Sequence, residues 1–161
     1  SLAANALGAD GINGPMAAKL VGGMTPPIGA FIATLLAKKK FAQAQIDTAK
    51  AAFPMGLCFI TEGVLPFAAA DPVRFIISSV LGSATAGAIA VGSGVESVAA
   101  HGGIFVIPMM TNPLMFVVAL VIGSVVTGVV YAVIKRETVA ETETVENSET
   151  DDFDFDITLE E

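Results

Sequence analysis

Apolar positions run in blocks along this chain, and the residues that interrupt the blocks are as informative as the blocks themselves. Residues 20–37 are apolar but carry Gly22-Gly23 and Pro26-Pro27, and Lys38-Lys39-Lys40 closes them. At about 1.5 Å per residue, such a block nearly crosses a bilayer core of about 30 Å. The double proline removes two backbone donors, so a broken helix is expected there. Residues 41–53 are Ala-rich with Gln, Asp and Lys, a pattern for a short helix in water or at the interface. Residues 54–70 are apolar again, cut by Glu62-Gly63 and Pro66, and predict a re-entrant hairpin with its break near Glu62-Gly63. Asp71-Pro72 is a turn and Arg74 follows it. Residues 75–91 form an uncharged helix with Gly82, Ala86 and Ala90 at a four-residue spacing, which lets membrane helices approach closely. Residues 92–103 are irregular and hold Glu96 and His101, and 104–110 are short and apolar. Residues 114–134 are the clearest span, 21 positions without a charge, closed by Lys135-Arg136. Ser124 and Gly128 make a second pair of small residues four apart.

The expected fold is therefore an all-α membrane protein: a polytopic helical bundle with broken or re-entrant helices and an acidic disordered tail. Two regions follow, residues 1–136 as the transmembrane domain and residues 137–161 as the tail. The overall hydropathy agrees, with 53% hydrophobic residues and a mean hydropathy of +0.72. The net charge of −8 misleads when read whole. Residues 1–136 carry eight basic and five acidic side chains, a balance of +3, whereas residues 137–161 carry eleven acids and no base. A mildly basic membrane block with a detached acidic segment gives no reason to expect a nucleic-acid partner. The tail has few large apolar residues to offset its ordering entropy, so disorder, a cytoplasmic location and dispensability for activity are expected. Its phrase FDFDITLEE is weighed as a docking motif, but a solubilising tail is preferred. Residues 1–15 are rich in turn-forming Gly, Asn and Asp, and the start at Ser1 points to a C-terminal fragment of something longer.

Basic clusters set the orientation, because short cytoplasmic loops are enriched in Lys and Arg. Lys38–Lys40 ends the first span inside, Arg74 starts the next from inside, and Lys135-Arg136 ends the last inside. The Glu62 hairpin then enters from the cytoplasmic side and the His101 loop lies toward the outer side or dips into the membrane. Two polar elements meeting from opposite faces suit alternating access.

The chemistry-bearing residues are few. A carboxylate at membrane depth costs roughly 2.5–3.5 kcal/mol on insertion scales and normally faces a polar cavity. Glu62 is such a group, a candidate ligand for a sugar or an ion; the plain alternative is a structural carboxylate capping a broken helix. His101 is the single histidine, and Gly102-Gly103 after it lets backbone and solute come close; the plain alternative is a loop histidine at the interface. Asp71 is expected to form the turn, Arg74 to anchor orientation, Glu96 to be exposed, and Cys58 to be a small buried residue. One cysteine excludes an intrachain disulfide and a thiol-built metal cluster. No metal, no cofactor, no catalytic triad and no phosphate-cradling loop is expected; GSGVES is Gly-rich only superficially.

GMTPPIGAFIATLL with KKKF, then FITEGVLPFAAADPVR, then HGGIFV, in this order, closely resemble the membrane IIC component of the fructose-specific bacterial phosphotransferase system, specifically its C-terminal half, over residues 10–136. The resemblance implies a permease in the inner (cytoplasmic) membrane, usually dimeric, that binds fructose or a related sugar and moves it across the bilayer. It also implies a phosphorylated IIB domain as partner, which transfers its phosphoryl group to the sugar. The chain would be the translocating subunit of a phosphotransferase whose phosphoryl-carrying IIA and IIB residues lie elsewhere. Carried over onto this sequence, the TEG motif gives Thr61, Glu62 and Gly63 as sugar-binding residues and the HGG motif gives His101 and Gly102, with Glu62 and His101 the candidates for any catalytic role. Ala100 stands where the family commonly has proline. From the residues alone, a carboxylate and an imidazole can hold sugar hydroxyls by accepting from some and donating to others. A secondary transporter coupled to protons or sodium through Glu62 is the alternative, and a sugar-binding membrane sensor is a third reading.

Overall fold

The computed structural model describes residues 14–97, 99 and 101–136. The expectations for residues 1–13, for Ala100 and for the acidic tail at 137–161 lie outside the described residues. Five α-helices follow one another: α1 (Gly14–Leu36), α2 (Gln43–Leu57), α3 (Leu65–Ala70), α4 (Pro72–Gly92) and α5 (Pro113–Ile134). Three short 3₁₀ stretches connect them, at Lys38–Lys40, Glu62–Val64 and Gly103–Met109. All described elements are helical, and α1, α4 and α5 are long and apolar enough to cross a membrane. This is an all-α membrane protein.

The three long helices pack on one another as a bundle. The small residues read from the sequence sit at its seams. Gly82, Ala86 and Ala90 of α4 are buried, as are Ser124 and Gly128 of α5. A Cβ added to Gly82 would overlap the Thr127 hydroxyl and fall 2.6 Å from the Gly123 carbonyl oxygen, so α4 and α5 meet almost backbone to backbone. The opposite face of α4, with Val73, Ile76, Ile77, Val80 and Leu81, is exposed and apolar.

The double proline does not break α1. Pro26 lacks the N–H that would bond to the carbonyl of Gly22, four residues back. That orphaned oxygen accepts a hydrogen bond from the Ser83 hydroxyl of α4 at 2.8 Å. The expected break is thus replaced by one continuous helix, in which a neighbour supplies one of the two donors that the prolines remove. Ser83→Ala should lower stability by about 1 kcal/mol, since a partly buried carbonyl loses its partner. Thermal unfolding of the detergent-solubilised full-length protein checks this. Adding Pro26→Ala to the same variant restores a backbone donor and should recover most of the loss.

The second correction concerns residues 54–70. The helix expected to stop at residue 53 runs on through Pro54 to Leu57. Pro54 and Lys50, whose carbonyl it frees, are both exposed, so the freed oxygen is not stranded in the core. The break expected near Glu62-Gly63 is present, at residues 58–61 just ahead of Glu62. Pro66 does not break anything: it occupies the first turn of α3, where no backbone donor is needed.

The basic clusters gather at one end of the bundle. Lys40 Nζ donates to the Ala132 carbonyl in the last turn of α5 at 3.0 Å. The buried Lys135 ammonium sits 4.6 Å from the centroid of the Phe41 ring, and burial pushes it down from the usual lysine range. Phe75, one residue after Arg74, packs edge-on against Tyr131 at 5.2 Å. The C-termini of α1 and α5 and the N-terminus of α4 therefore share one end, the arrangement that three alternating spans require.

Candidate functional site

The site is assembled at the end of α2. The helix closes through a turn in which the Ile60 N–H bonds to the Met55 carbonyl at 2.9 Å and the Phe59 N–H to Gly56 at 3.1 Å. This is a Schellman closure, and its pivot residue must be left-handed. Phe59 is that residue, with φ +66°. The chain then passes Ile60 and Thr61 and enters the 3₁₀ turn that carries Glu62.

Glu62 is exposed and, among the described residues, takes part in no salt bridge. No side-chain hydrogen bond caps the 3₁₀ turn or α3. A structural capping role therefore has no support in the geometry, and the carboxylate oxygens are free to accept from a solute. Thr61 is also exposed, and its carbonyl accepts from the Val64 N–H at 3.2 Å. Gly63 does something different. A Cβ there would fall 3.0 Å from the Cα of Ala52, so Gly63 lets the turn lie against α2.

The His101 loop comes to the same place from the far side of the sequence. Gly103 is buried with φ +54°. A Cβ on it would overlap the Leu57 carbonyl oxygen and fall 2.7 Å from the carbonyl carbon of Cys58 and 2.8 Å from the Phe59 nitrogen. The loop backbone thus rests directly on the closing turn of α2. Gly102, at φ +122°, makes the bend that seats it. His101 itself is exposed, and its ring lies edge-on to Phe59 with centroids 6.0 Å apart. The structure therefore seats the His101 loop on the turn that leads into the Glu62 motif: His101 packs against Phe59, and Glu62 follows Phe59 by three residues in the chain. An acceptor-only carboxylate and an imidazole, both accessible, flank a rigid backbone feature. That arrangement suits a polyhydroxylated solute.

Several other expectations resolve here. Asp71 and Arg74 pair with each other at 3.0 Å across the start of α4, so both are used in structure. Glu96 is exposed, as expected. Cys58 is exposed rather than buried, because it caps α2 at a turn and not inside a helix. Cys58→Ser should leave membrane insertion and thermal stability close to wild type, as is usual for a surface substitution; thermal unfolding of the detergent-solubilised variant checks it. Among the described residues, no cluster of His, Cys, Asp or Glu could hold a metal ion. Sequence reasoning missed Phe59 and Gly23 as parts of this region. A left-handed phenylalanine has no sequence signature, whereas the Gly22-Gly23 pair was visible but interpreted only as a helix breaker.

Comparison with known proteins agrees with the sequence motifs. The chain is 55% identical over 127 residues to the PTS system fructose-specific EIIB'BC component of Haemophilus influenzae, covering 79% of this chain and 23% of that protein. It is 46% identical over 126 residues to the PTS system fructose-specific EIIC component of Haloferax volcanii, covering 78% and 34%. It is 41% identical over 122 residues to the fructose permease IIC component of Bacillus amyloliquefaciens, covering 76% and 40%. The chain thus spans between about a quarter and two fifths of the length of these relatives. No family model matches the chain, and no solved structure matches it.

Proposed function

We propose that residues 1–136 are part of the membrane component of a fructose-type phosphotransferase system, and that the turn carrying Glu62 together with the His101 loop holds the sugar during translocation. The observation that supports the reading is the seating of Gly103 on residues 57–59, the turn that leads into the TEG motif. Similarity to proteins named as fructose permease and fructose-specific EIIC components supplies the substrate class.

In this reading Glu62 accepts hydrogen bonds from two sugar hydroxyls and His101 donates to or accepts from a third. Thr61, exposed beside Glu62, adds a hydroxyl to the rim. A phosphorylated IIB partner, approaching from the cytoplasmic side, transfers its phosphoryl group to a sugar hydroxyl. The P–O bond to the new ester forms as the bond to the carrier breaks, and the hydroxyl proton leaves to a base. Glu62 and His101 are the groups of this chain able to position that hydroxyl and take its proton. In this reading the IIB-facing side and the C-terminus are cytoplasmic, which the basic residues at the ends of α1, α4 and α5 support, with the bilayer around the outer faces of the helices and a second copy of the protein as its dimer partner.

The test is product identity. Vesicles containing the full-length protein, phosphoenolpyruvate and the soluble phosphotransferase proteins should accumulate fructose phosphate. Accumulation of free fructose driven by a proton or sodium gradient, without any phosphoryl donor, would support cation-coupled transport through Glu62 instead.

A further inference from the structure

Phe59 occupies a position that its chemistry does not favour. Two helices of this protein end in the same Schellman closure. At the end of α4, the Val95 N–H bonds to Ala90 at 3.0 Å and the Gly94 N–H to Val91 at 3.0 Å, and the left-handed pivot is Gly94 at φ +65°. Glycine is the usual residue there because it has no Cβ to clash. At the end of α2 the same bonds turn on a phenylalanine, the sole non-glycine residue with positive φ among the described residues. Strain of this kind persists where the surroundings over-determine it, and it concentrates at functional sites.

The surroundings do over-determine it. A Cβ added to Gly23 of α1 would fall 2.5 Å from Cε2 of Phe59, so the ring occupies the space on α1 where a side chain would otherwise stand. The ring also packs against the apolar core of the bundle and edge to face with the His101 ring, centroids 6.0 Å apart. Its own backbone nitrogen lies under Gly103. One residue thus touches α1, the His101 loop and the turn that leads to Glu62.

We propose that Phe59 is a positioning residue of the sugar site: its ring, fixed by Gly23, holds the His101 imidazole at the angle from which it meets the sugar. This rests on the assignment of His101 to that site. Phe59 also packs on the bundle's core, so the distinguishing prediction is that its effect on sugar affinity depends on His101.

The experiment is a double-mutant cycle on labelled fructose phosphorylation by the full-length protein in vesicles with the soluble phosphotransferase proteins. Phe59→Leu keeps an apolar side chain but removes the ring edge facing His101. It should raise KM roughly tenfold with kcat within about threefold, the signature of lost substrate binding. In a His101→Ala background the same change should have almost no further effect, because residues that act through one another are non-additive. Gly23→Ala, which displaces the ring from the α1 side, should reproduce both results and decides the matter if Phe59→Leu does not reach the membrane. Equal effects of Phe59→Leu in the presence and absence of His101 would overturn the proposal and leave Phe59 a packing residue. An unchanged KM for His101→Ala alone would remove His101 from the sugar site, and with it the proposed role of Phe59; that outcome is distinct from additivity.

Discussion

Glu62→Gln should weaken fructose binding by roughly ten- to a hundredfold while leaving the amount of protein in the membrane unchanged. The fold gives no reason for a structural loss. Glu62 is exposed, unpaired by any salt bridge among the described residues, and its 3₁₀ turn has no side-chain cap. Glutamine has nearly the same shape and rotamers. What it lacks is the charge and one acceptor oxygen. A hydrogen bond to a charged group contributes about 1.5–3 kcal/mol, which corresponds to about one to two powers of ten in affinity. A buried carboxylate would have made this test ambiguous, because its removal would also relieve a desolvation penalty; here that term is absent. Titration of labelled fructose onto the purified full-length protein measures the effect directly. Wild-type affinity for Glu62→Gln would place the sugar elsewhere.

Gly103→Ala should be the more damaging substitution, even though it adds a single methyl group. The new Cβ meets main-chain atoms of Leu57, Cys58 and Phe59, and none of these can swing aside as a flexible side chain would. The residue also sits at φ +54°, where a non-glycine residue costs about 1–2 kcal/mol. The loop must lift from the end of α2, and His101 leaves Phe59 with it. Uptake of fructose should fall by more than tenfold, at least matching the loss for His101→Ala, since a displaced site costs about as much as a deleted one. Insertion should survive, because the loop lies outside α1, α4 and α5. Gly94→Ala is the control. Its φ of +65° brings the same strain, but nothing lies within 4 Å of the added Cβ. If the two alanines behave alike, strain and not collision explains the result, and the loop is not seated as described.

The helices of this protein were legible in the sequence because their cause is local. Runs of uncharged residues of bilayer length, ended by Lys38–Lys40 and Lys135-Arg136, cannot leave their backbone groups unpaired in lipid and must be helical. The seam between α4 and α5 was legible for a similar reason, since Gly82, Ala86 and Ala90 recur at the helical period. Glu62 and His101 stood out because polar residues are expensive in apolar surroundings. That reasoning identified them as unusual; it carried no information about their separation in space.

The continuity of α1 could not be foreseen. Proline removes a donor wherever it stands, but whether the orphaned Gly22 oxygen finds another depends on Ser83, a residue of a different helix. The same holds for the break in residues 54–70. The turn chemistry of Glu62-Gly63 and Pro66 marked the right neighbourhood. The actual pivot is Phe59, a poor residue for a left-handed turn, kept there by Gly23, His101 and Gly103.

The sequence by itself therefore determined which segments are helices, which end of each is basic, and which two motifs carry the polar groups. These depend on hydropathy, length and charge along the chain. The tertiary structure alone decided that α1 stays whole, that α2 ends on a strained phenylalanine, and that the HGG loop rests on the turn leading into the TEG motif. Each of those is a contact between residues far apart in sequence, and its energy exists only once the helices have packed.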